Sequence, residues 1–454
     1  MKSAECGKGR WYSIALMLFD TPLRAEHFAF ASLDAARRTE RAQHARGAVA
    51  ARRAVEIEYL PFGPADEHGA PTCEVVAAYA EVELEYAAMR SACALIDCAE
   101  RATLVIKGRD RVDFLNRLVT QELRTLVEGG VTRAFLTNRK GRIEADLVIA
   151  ALPDALLIDT LVHDVAPVQA ALTKMLFAED VVITSRVETH ARLALHGPRA
   201  VAALRALGLA SENAAANAWS SALGDAIVDI IRIDDFGFNP AHAAVETDQR
   251  DLGFALSVPR ARIAELWRSF VTFGARPAGW FATNTARIEA GTPYFRIDFG
   301  PTNLPAESGV LNSRVSFTKG CYPGQEVVAR MQHLGKPKQK LIGLRVEGDL
   351  LPVSDAQVFA IAEGTSDGHQ LGHQMGHQLG DQLGVITSSG LAPMLGAVPV
   401  AFAMISSRAY EIGTKVLVNA EGEQAIATVT PLAFLTHAQE SAAVSTTKST
   451  EVDS

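Results

Sequence analysis

Apolar positions recur along the chain at helical and strand spacings, and each run predicts an element. Residues 83–94 carry a helical period. Residues 102–106 are a short apolar run closed by Lys107 and Gly108, the mark of a strand. Val112, Leu115, Leu118, Val119, Leu123 and Leu126 share one face of a helix expected over 110–126, which Gly129 and Gly130 break. Strands over 133–137 and 143–150 flank a turn at 138–141, a hairpin signal. Further strands are expected at 156–160 and 181–184, with a helix over 165–177 between them. Gly197 and Pro198 open a helix that Gly208 stops. Pro259 opens another that ends at Gly274, and a third over 282–290 is stopped by Gly291 and Pro293. The mixture lacks a strict strand–helix–strand rhythm, which favours an α+β fold over a doubly wound sheet.

After Lys336 the pattern changes. Six short strands are expected at 341–346, 358–361, 384–387, 398–405, 415–418 and 425–429, separated by turn residues and free of helical periods. That is the pattern of a small β-barrel or sandwich. The layout is then a poorly ordered extension (1–75), a folded region (76–335), a β-barrel domain (336–436) and a Ser/Thr-rich disordered tail (437–454). Arg37, Arg38, Arg41, Arg46, Arg52 and Arg53 make the extension basic. Asp20, Glu26, Asp34 and Glu40 dilute any likeness to a transit peptide. Within the barrel, 368–384 repeats a His-Gln-Leu-Gly-type unit that sets His369, His373 and His377 four apart. On a helix these would share a face and could hold a metal. A glycine in every repeat opposes the helix, so a repeat-expanded surface loop is expected and no metal site.

A length of 454 residues leaves room for two or three domains. The net charge of −8 argues against a general nucleic-acid binder. No apolar run reaches eighteen residues, so no membrane span is expected. The apolar stretch 14–19 is short and lacks a small-residue cleavage site, so no signal peptide is expected. Cys6, Cys73, Cys93, Cys98 and Cys321 form no Cys-x-x-Cys pair. A zinc or disulfide framework is therefore not expected, and a reducing, cytoplasmic compartment is.

Candidate chemistry concentrates at 319–326, which reads Lys-Gly-Cys-Tyr-Pro-Gly-Gln-Glu. Pro323-Gly324 is a preferred central pair for a type II turn. Gly320 permits backbone conformations closed to other residues. Cys321 is thus expected in a tight loop, with Lys319 two residues before it to favour the thiolate by charge. Gln325 and Glu326 add hydrogen-bonding groups after the turn. A lone cysteine is usually a buried small hydrophobe, and the polar, glycine-rich surroundings here weigh against that.

These eight residues, with Lys319, Cys321, Tyr322, Gly324, Gln325 and Glu326 at motif positions, closely resemble the signature of the YgfZ family. So does the continuation with Arg330, His333, Lys336 and Lys338. Upstream, Arg287-Ile-Glu-Ala-Gly-Thr-Pro293 is similar to a segment shared with glycine-cleavage T-proteins, and weaker likenesses occur at 108–115, 136–141 and 197–198. The resemblance implies a multi-lobed folate-binding fold around a central opening, with a C-terminal β-barrel. It implies tetrahydrofolate or a derivative as cofactor, iron–sulfur enzymes as clients, tRNA-thiolating ones among them, and Cys321 as the functional residue. Asn138, Asp146, Arg287 and Glu289 are the candidates for folate contact. For Arg287 and Glu289 mutual pairing or backbone capping stands beside it, and for Asn138 a plain turn role. Asp146, a carboxylate in an apolar strand, should be paired or face a cavity.

Two departures bear on activity. Aminomethyltransferases of this superfamily carry adjacent aspartates where this chain has Ala145-Asp146. Their acidic folate segment is matched only by 251–256, with Ala255 in place of the final Glu and an insertion near 239–249. Three readings stay open: an iron–sulfur accessory protein acting through Cys321, a folate-dependent aminomethyltransferase or demethylase, and a docking module. Nucleotide-binding, zinc-protease and serine-hydrolase motifs are absent from the sequence.

Overall fold

The computed structural model describes residues 19–46, 57–213, 215–233, 235–236, 253–362 and 379–435. The expected tail, the insertion at 239–249 and most of the His-rich repeat lie outside these residues. In chain order, α1 (Arg24–Arg46) is followed by β1 (Tyr59–Pro61), β2 (Glu74–Val76), α2 (Val82–Ser91), β3 (Ala94–Asp97) and β4 (Arg101–Lys107). Then come α3 (Arg111–Asn116), β5 (Val131–Thr137), β6 (Ile143–Ala151), β7 (Ala155–Leu161), α4 (Val162–Thr173) and β8 (Val182–Ser185). A third group is β9 (His190–His196), α5 (Ala200–Ala206), β10 (Ala218–Leu223), β11 (Ala226–Ile233), β12 (Gly253–Pro259), α6 (Ile263–Phe273) and β13 (Arg276–Pro277). The helices α7 (Trp280–Ala290), α8 (Leu311–Arg314) and α9 (Gln325–Leu334) lead into the last strands. These are β14 (Gln339–Val346), β15 (Gln357–Ile361), β16 (Leu379–Ala392), β17 (Val398–Ser406), β18 (Lys415–Ala420) and β19 (Glu423–Thr430).

The strands make a six-stranded sheet in the order β10-β11-β12-β9-β3-β13 and a five-stranded sheet in the order β5-β6-β7-β4-β8. The last six close into a barrel, β14-β17-β16-β15-β18-β19. The fold is α+β with a C-terminal barrel, as expected. The two sheets face each other across Val105, Val148, Ala150 and Leu157 on one side and Ile96, Ala194, Ile231 and Ala255 on the other. Behind the six-stranded sheet lies the helical layer. In α6, Ile263, Leu266, Trp267 and Phe270 recur at i, i+3, i+4 and i+7 and are all buried. Each such side chain stabilises by roughly 1.5–3 kcal/mol on burial.

Three expectations are corrected. The extension expected to be poorly ordered contains α1, whose His27 and Ala31 are fully buried against the α6 side of the sheet, where the His27 ring lies 5.3 Å from that of Trp267. The helix expected over 110–126 stops at Asn116. The Asn116 side chain accepts the Leu123 N–H at 2.7 Å, and the carbonyls beyond it turn towards Lys319. Strands β9 to β11 had no expected counterpart, since charged or polar residues interrupt them.

The helix α7 packs between α2 and the barrel strands β16 and β17. It ends at Gly291, whose φ of +77° is left-handed. A Cβ there would lie 2.4 Å from the Ala433 nitrogen, so only glycine lets the returning chain after β19 pass.

Candidate functional site

The motif 319–326 folds as a docked loop. Gln325 N donates to Tyr322 O at 3.2 Å, and Gly324 takes φ +79°, ψ 3°, the expected type II turn. Thr137 Oγ1 donates to Pro323 O at 2.7 Å, which fixes the loop to the β5–β6 hairpin. Gly324 lies so close to that hairpin that a Cβ would stand 2.4 Å from Asn138 O. Tyr322 is buried, and burial pushes its phenol up to about 12. Gln325 Nε2 reaches Lys319 O at 3.4 Å, and Glu326 is exposed in the first turn of α9. Cys321 is exposed, whereas Cys73, Cys93 and Cys98 are buried.

Lys319 does not serve Cys321 as expected. Its ammonium turns inward, 5.4 Å from the Tyr322 ring centroid, and donates to the carbonyls of Asn116, Val119 (2.6 Å) and Gln121 (2.8 Å). Burial pushes its pKa down to about 8. Three carbonyl acceptors call for three N–H donors, which the protonated amine supplies at neutral pH. Lys319→Met leaves these carbonyls without a donor. At about 1–3 kcal/mol per buried unmatched group, a loss of at least ~2 kcal/mol is expected in urea denaturation. An unchanged midpoint would remove this scaffolding role. Gly320 also departs from expectation: its φ is not left-handed, and a Cβ would meet nothing within 4 Å.

Asn138 is a turn residue. Its Oδ1 accepts the N–H groups of Lys140 (2.9 Å) and Arg142 (3.1 Å). Arg287 and Glu289 are two apart on α7 and so point to different sides. Arg287 donates to Asp298 Oδ2 and Ser388 Oγ, both at 2.7 Å. Glu289 accepts from Tyr86 Oη, from Arg90 at 2.8 Å and from Met394 N at 3.0 Å. Both side chains are buried in contacts that join α7 to its neighbours and the barrel. Among the described residues they do not pair with each other, and neither lines the inter-sheet cleft.

Asp146 lies on the sheet face turned towards the six-stranded sheet, but it is not among the residues lining the cleft. Strand alternation puts it on the side of Val148, while Ala145 is fully buried on the opposite face. Its Oδ1 accepts from Arg314 Nε at 3.1 Å, so the carboxylate is paired as the sequence required. Around it the layer between the sheets turns polar. Asp159 sits between Arg101 (2.6 Å) and Arg192, and Arg133 pairs with Asp235. Burial alone would raise the Asp159 carboxyl; the flanking guanidiniums of Arg101 and Arg192 hold it below the usual carboxylate range. The cleft beside these pairs holds a cavity of about 40 Å³. Its walls include Tyr79, Phe236, Trp280 and Tyr294. Burial pushes the Glu100 carboxyl in this cleft up to about 7.

The structure therefore holds two features. One is the Cys321 loop with Asn138 behind it; the other is the charged cleft lined by Glu100, Arg101, Arg192 and Asp235. Among the described residues no hydrogen bond or ion pair links Cys321 to Asp146, Arg287 or Glu289. Sequence reasoning passed over Asp159 and Arg192, although each is a single charge within an apolar strand, the signal that marked Asp146.

Residues 67–319 match the family model described as the GCVT N-terminal domain. An aminomethyltransferase of Caldanaerobacter subterraneus subsp. tengcongensis is 26% identical over 281 residues, covering 59% of this chain and 70% of that protein. One from Shouchella clausii is 24% identical over 386 residues, covering 81% and 95%. Among solved structures, glycine cleavage system aminomethyltransferase T from Bartonella henselae aligns with a TM-score of 0.69 at 20% identity, over 84% of this chain and 95% of that one. At that identity the likeness establishes the fold, a T-protein-like arrangement.

Proposed function

Since the chain belongs to the GCVT family of glycine-cleavage T-proteins, we propose that it is a folate-binding accessory protein of the YgfZ branch. In this reading it supports iron–sulfur cluster assembly or repair in cytoplasmic client enzymes, tRNA-modifying ones among them. The observation that carries the reading is the presentation of Cys321. Lys319, Tyr322, Gly324 and Gln325 are all engaged in building or docking the loop, and the thiol is left in solvent with Gly320 and Glu326. A rigid loop that exposes one thiol suits contact with a macromolecular client better than chemistry inside a closed cleft.

The lining of the cleft suits a folate chemically, although its cavity of about 40 Å³ would have to open to admit one. Trp280, Tyr294 and Phe236 offer aromatic surface to a flat ring system, and the buried Tyr79 hydroxyl has no hydrogen-bond partner among the described residues. Bound tetrahydrofolate would supply one-carbon acceptor chemistry. The chain's own contribution is to hold the Asp146 carboxylate against Arg314 between the sheets.

The test is rescue of iron–sulfur-dependent tRNA thiolation in a bacterium lacking its YgfZ-type protein. The native chain is expected to restore thiolation and Cys321→Ala to fail. Equal rescue by both would remove the thiol from the function. Failure of both, with soluble expression, would favour a second reading, a tetrahydrofolate-dependent aminomethyltransferase or demethylase. The retained Asp146 on the inter-sheet face and the aminomethyltransferase relatives support that alternative. It requires methylene-tetrahydrofolate to form from tetrahydrofolate and an amine donor.

A further inference from the structure

The Cys321 loop and the β5–β6 turn form one fixed surface. Asn138 Oδ1 accepts the N–H groups of Lys140 and Arg142, and Gly141 takes a φ of +71°, so the turn that carries Arg139 and Lys140 is held from within. Thr137 Oγ1 ties it to Pro323 O at 2.7 Å. A Cβ on Gly141 would stand 3.0 Å from the Val327 side chain, so the turn also lies against the start of α9. Residues three apart on a helix share a face, and Arg330 therefore projects from α9 beside the same turn.

Arg139, Lys140 and Arg330 are exposed, as Cys321 is. None of their side chains has an ion pair or hydrogen bond among the described residues. Several exposed cations elsewhere do find acids: Lys107 with Asp154 at 2.7 Å, Arg109 with Asp180 at 2.9 Å and Arg124 with Asp113 at 2.6 Å. The exposed acids on these elements are Glu326 on α9 and Glu144 on β6. Against them stand the three unpaired cations and Arg142, whose guanidinium donates to Thr302 O. The surface around the thiol thus carries a positive excess on a chain whose net charge is −8. An acidic protein is repelled by such a chain as a whole and drawn to this surface, which sets how it approaches.

We propose that Arg139, Lys140 and Arg330 form a docking surface for the acidic face of a protein client, whose carboxylates pair with these cations and set the client over Cys321. The assignment rests on the accessory reading, in which the thiol meets a macromolecule. The net negative charge of the chain favours a protein over a nucleic acid as the occupant. The cations sit on backbone that is already fixed, so pairing costs little ordering beyond their own side chains.

The experiment repeats the thiolation rescue with a triple reversal, Arg139→Glu with Lys140→Glu and Arg330→Glu. The control is Arg205→Glu, an exposed cation on α5, which packs against the six-stranded sheet. Rescue is expected to fall at least about tenfold in the triple reversal and to stay native in the control. A physical readout accompanies it on purified full-length protein carrying Cys6→Ser: the rate at which Cys321 reacts with dianionic dithiobis-nitrobenzoate and with neutral dithiodipyridine. The triple reversal is expected to lower the anionic-to-neutral rate ratio about tenfold at low salt, and about 1 M salt to erase most of that difference. Should the triple reversal melt below the native chain, the matching glutamine variants replace it and are expected to shift both readouts in the same direction. Full rescue by the reversed surface would overturn the proposal and leave the accessory reading standing. An unchanged rate ratio would overturn it as well, since the cations would then not act at the thiol. Binding of bulk transfer RNA by the native chain, lost on reversal, would replace the protein client with a nucleic acid and overturn it too. Failure of the native chain to rescue would sink the accessory reading and the surface with it.

Discussion

Arg287→Ala is expected to lower the unfolding free energy by roughly 3–5 kcal/mol, the usual result of breaking one side of a buried ion pair. The side chain is 1% exposed, and Asp298, which it contacts at 2.7 Å, is 0% exposed. Removal leaves the Asp298 carboxylate with Tyr294 N, Thr387 Oγ1 and Ser388 Oγ as donors but no counter-charge. It also strips the guanidinium from the Tyr294 ring, 4.7 Å away. Arg287→Lys should fall between the two, since an ammonium keeps the charge but not the fork that reaches Asp298 and Ser388 together. Urea denaturation of both variants measures this. A loss below ~1 kcal/mol for the alanine variant, together with weakened folate binding, would instead return Arg287 to the ligand contacts suggested by its sequence motif.

The second large effect is functional. Gly324→Ala is expected to abolish Cys321-dependent rescue while leaving the thiol in place. Alanine in the left-handed region costs about 1–2 kcal/mol. The added methyl would also stand 2.4 Å from Asn138 O and 2.7 Å from Gly141 N, both backbone atoms of the hairpin turn. The loop must therefore lift from the hairpin that positions it. Gly320→Ala meets open space and serves as the control for loop docking. Thiol labelling would find Cys321 still reactive in Gly324→Ala. Rescue equal to that of the native chain would mean that the loop's position on the hairpin does not matter.

The features legible in the sequence are those set by short-range chemistry. Pro323-Gly324 makes its type II turn, the β5–β6 hairpin closes around Asn138, and the barrel strands fall where alternation and turn residues put them. The illegible features depend on partners far along the chain. The run from Val112 to Leu126 has a helical pattern, yet Lys319, some 200 residues later, captures the carbonyls that such a helix would use. Arg287 and Glu289 read equally well as ligand contacts or as local pairs. In the fold Arg287 donates to the Thr292 carbonyl at its helix end, while docking of the barrel supplies Ser388 and Met394 as further partners. For Asp146 the rule that a charge in an apolar strand needs a partner held. Applied to Asp159 and Arg192, it would have outlined the cleft.

The join between β15 and β16 bears on how this gene can drift. The two strands pair through Gln357 with Val385 and Val358 with Gly384. Their outer neighbours, β18 and β17, hold them in the closed barrel. Register is thus set by the paired strands, β16 taking in the end of the His-Gln-Leu-Gly repeat from Leu379 to Gly384. In general, doubling the length of a loop costs only about 0.6 kcal/mol in closure entropy. Slippage during DNA replication can therefore add or remove copies of the twelve-base unit in frame at little thermodynamic penalty, and natural variants should differ in repeat number while sharing one barrel.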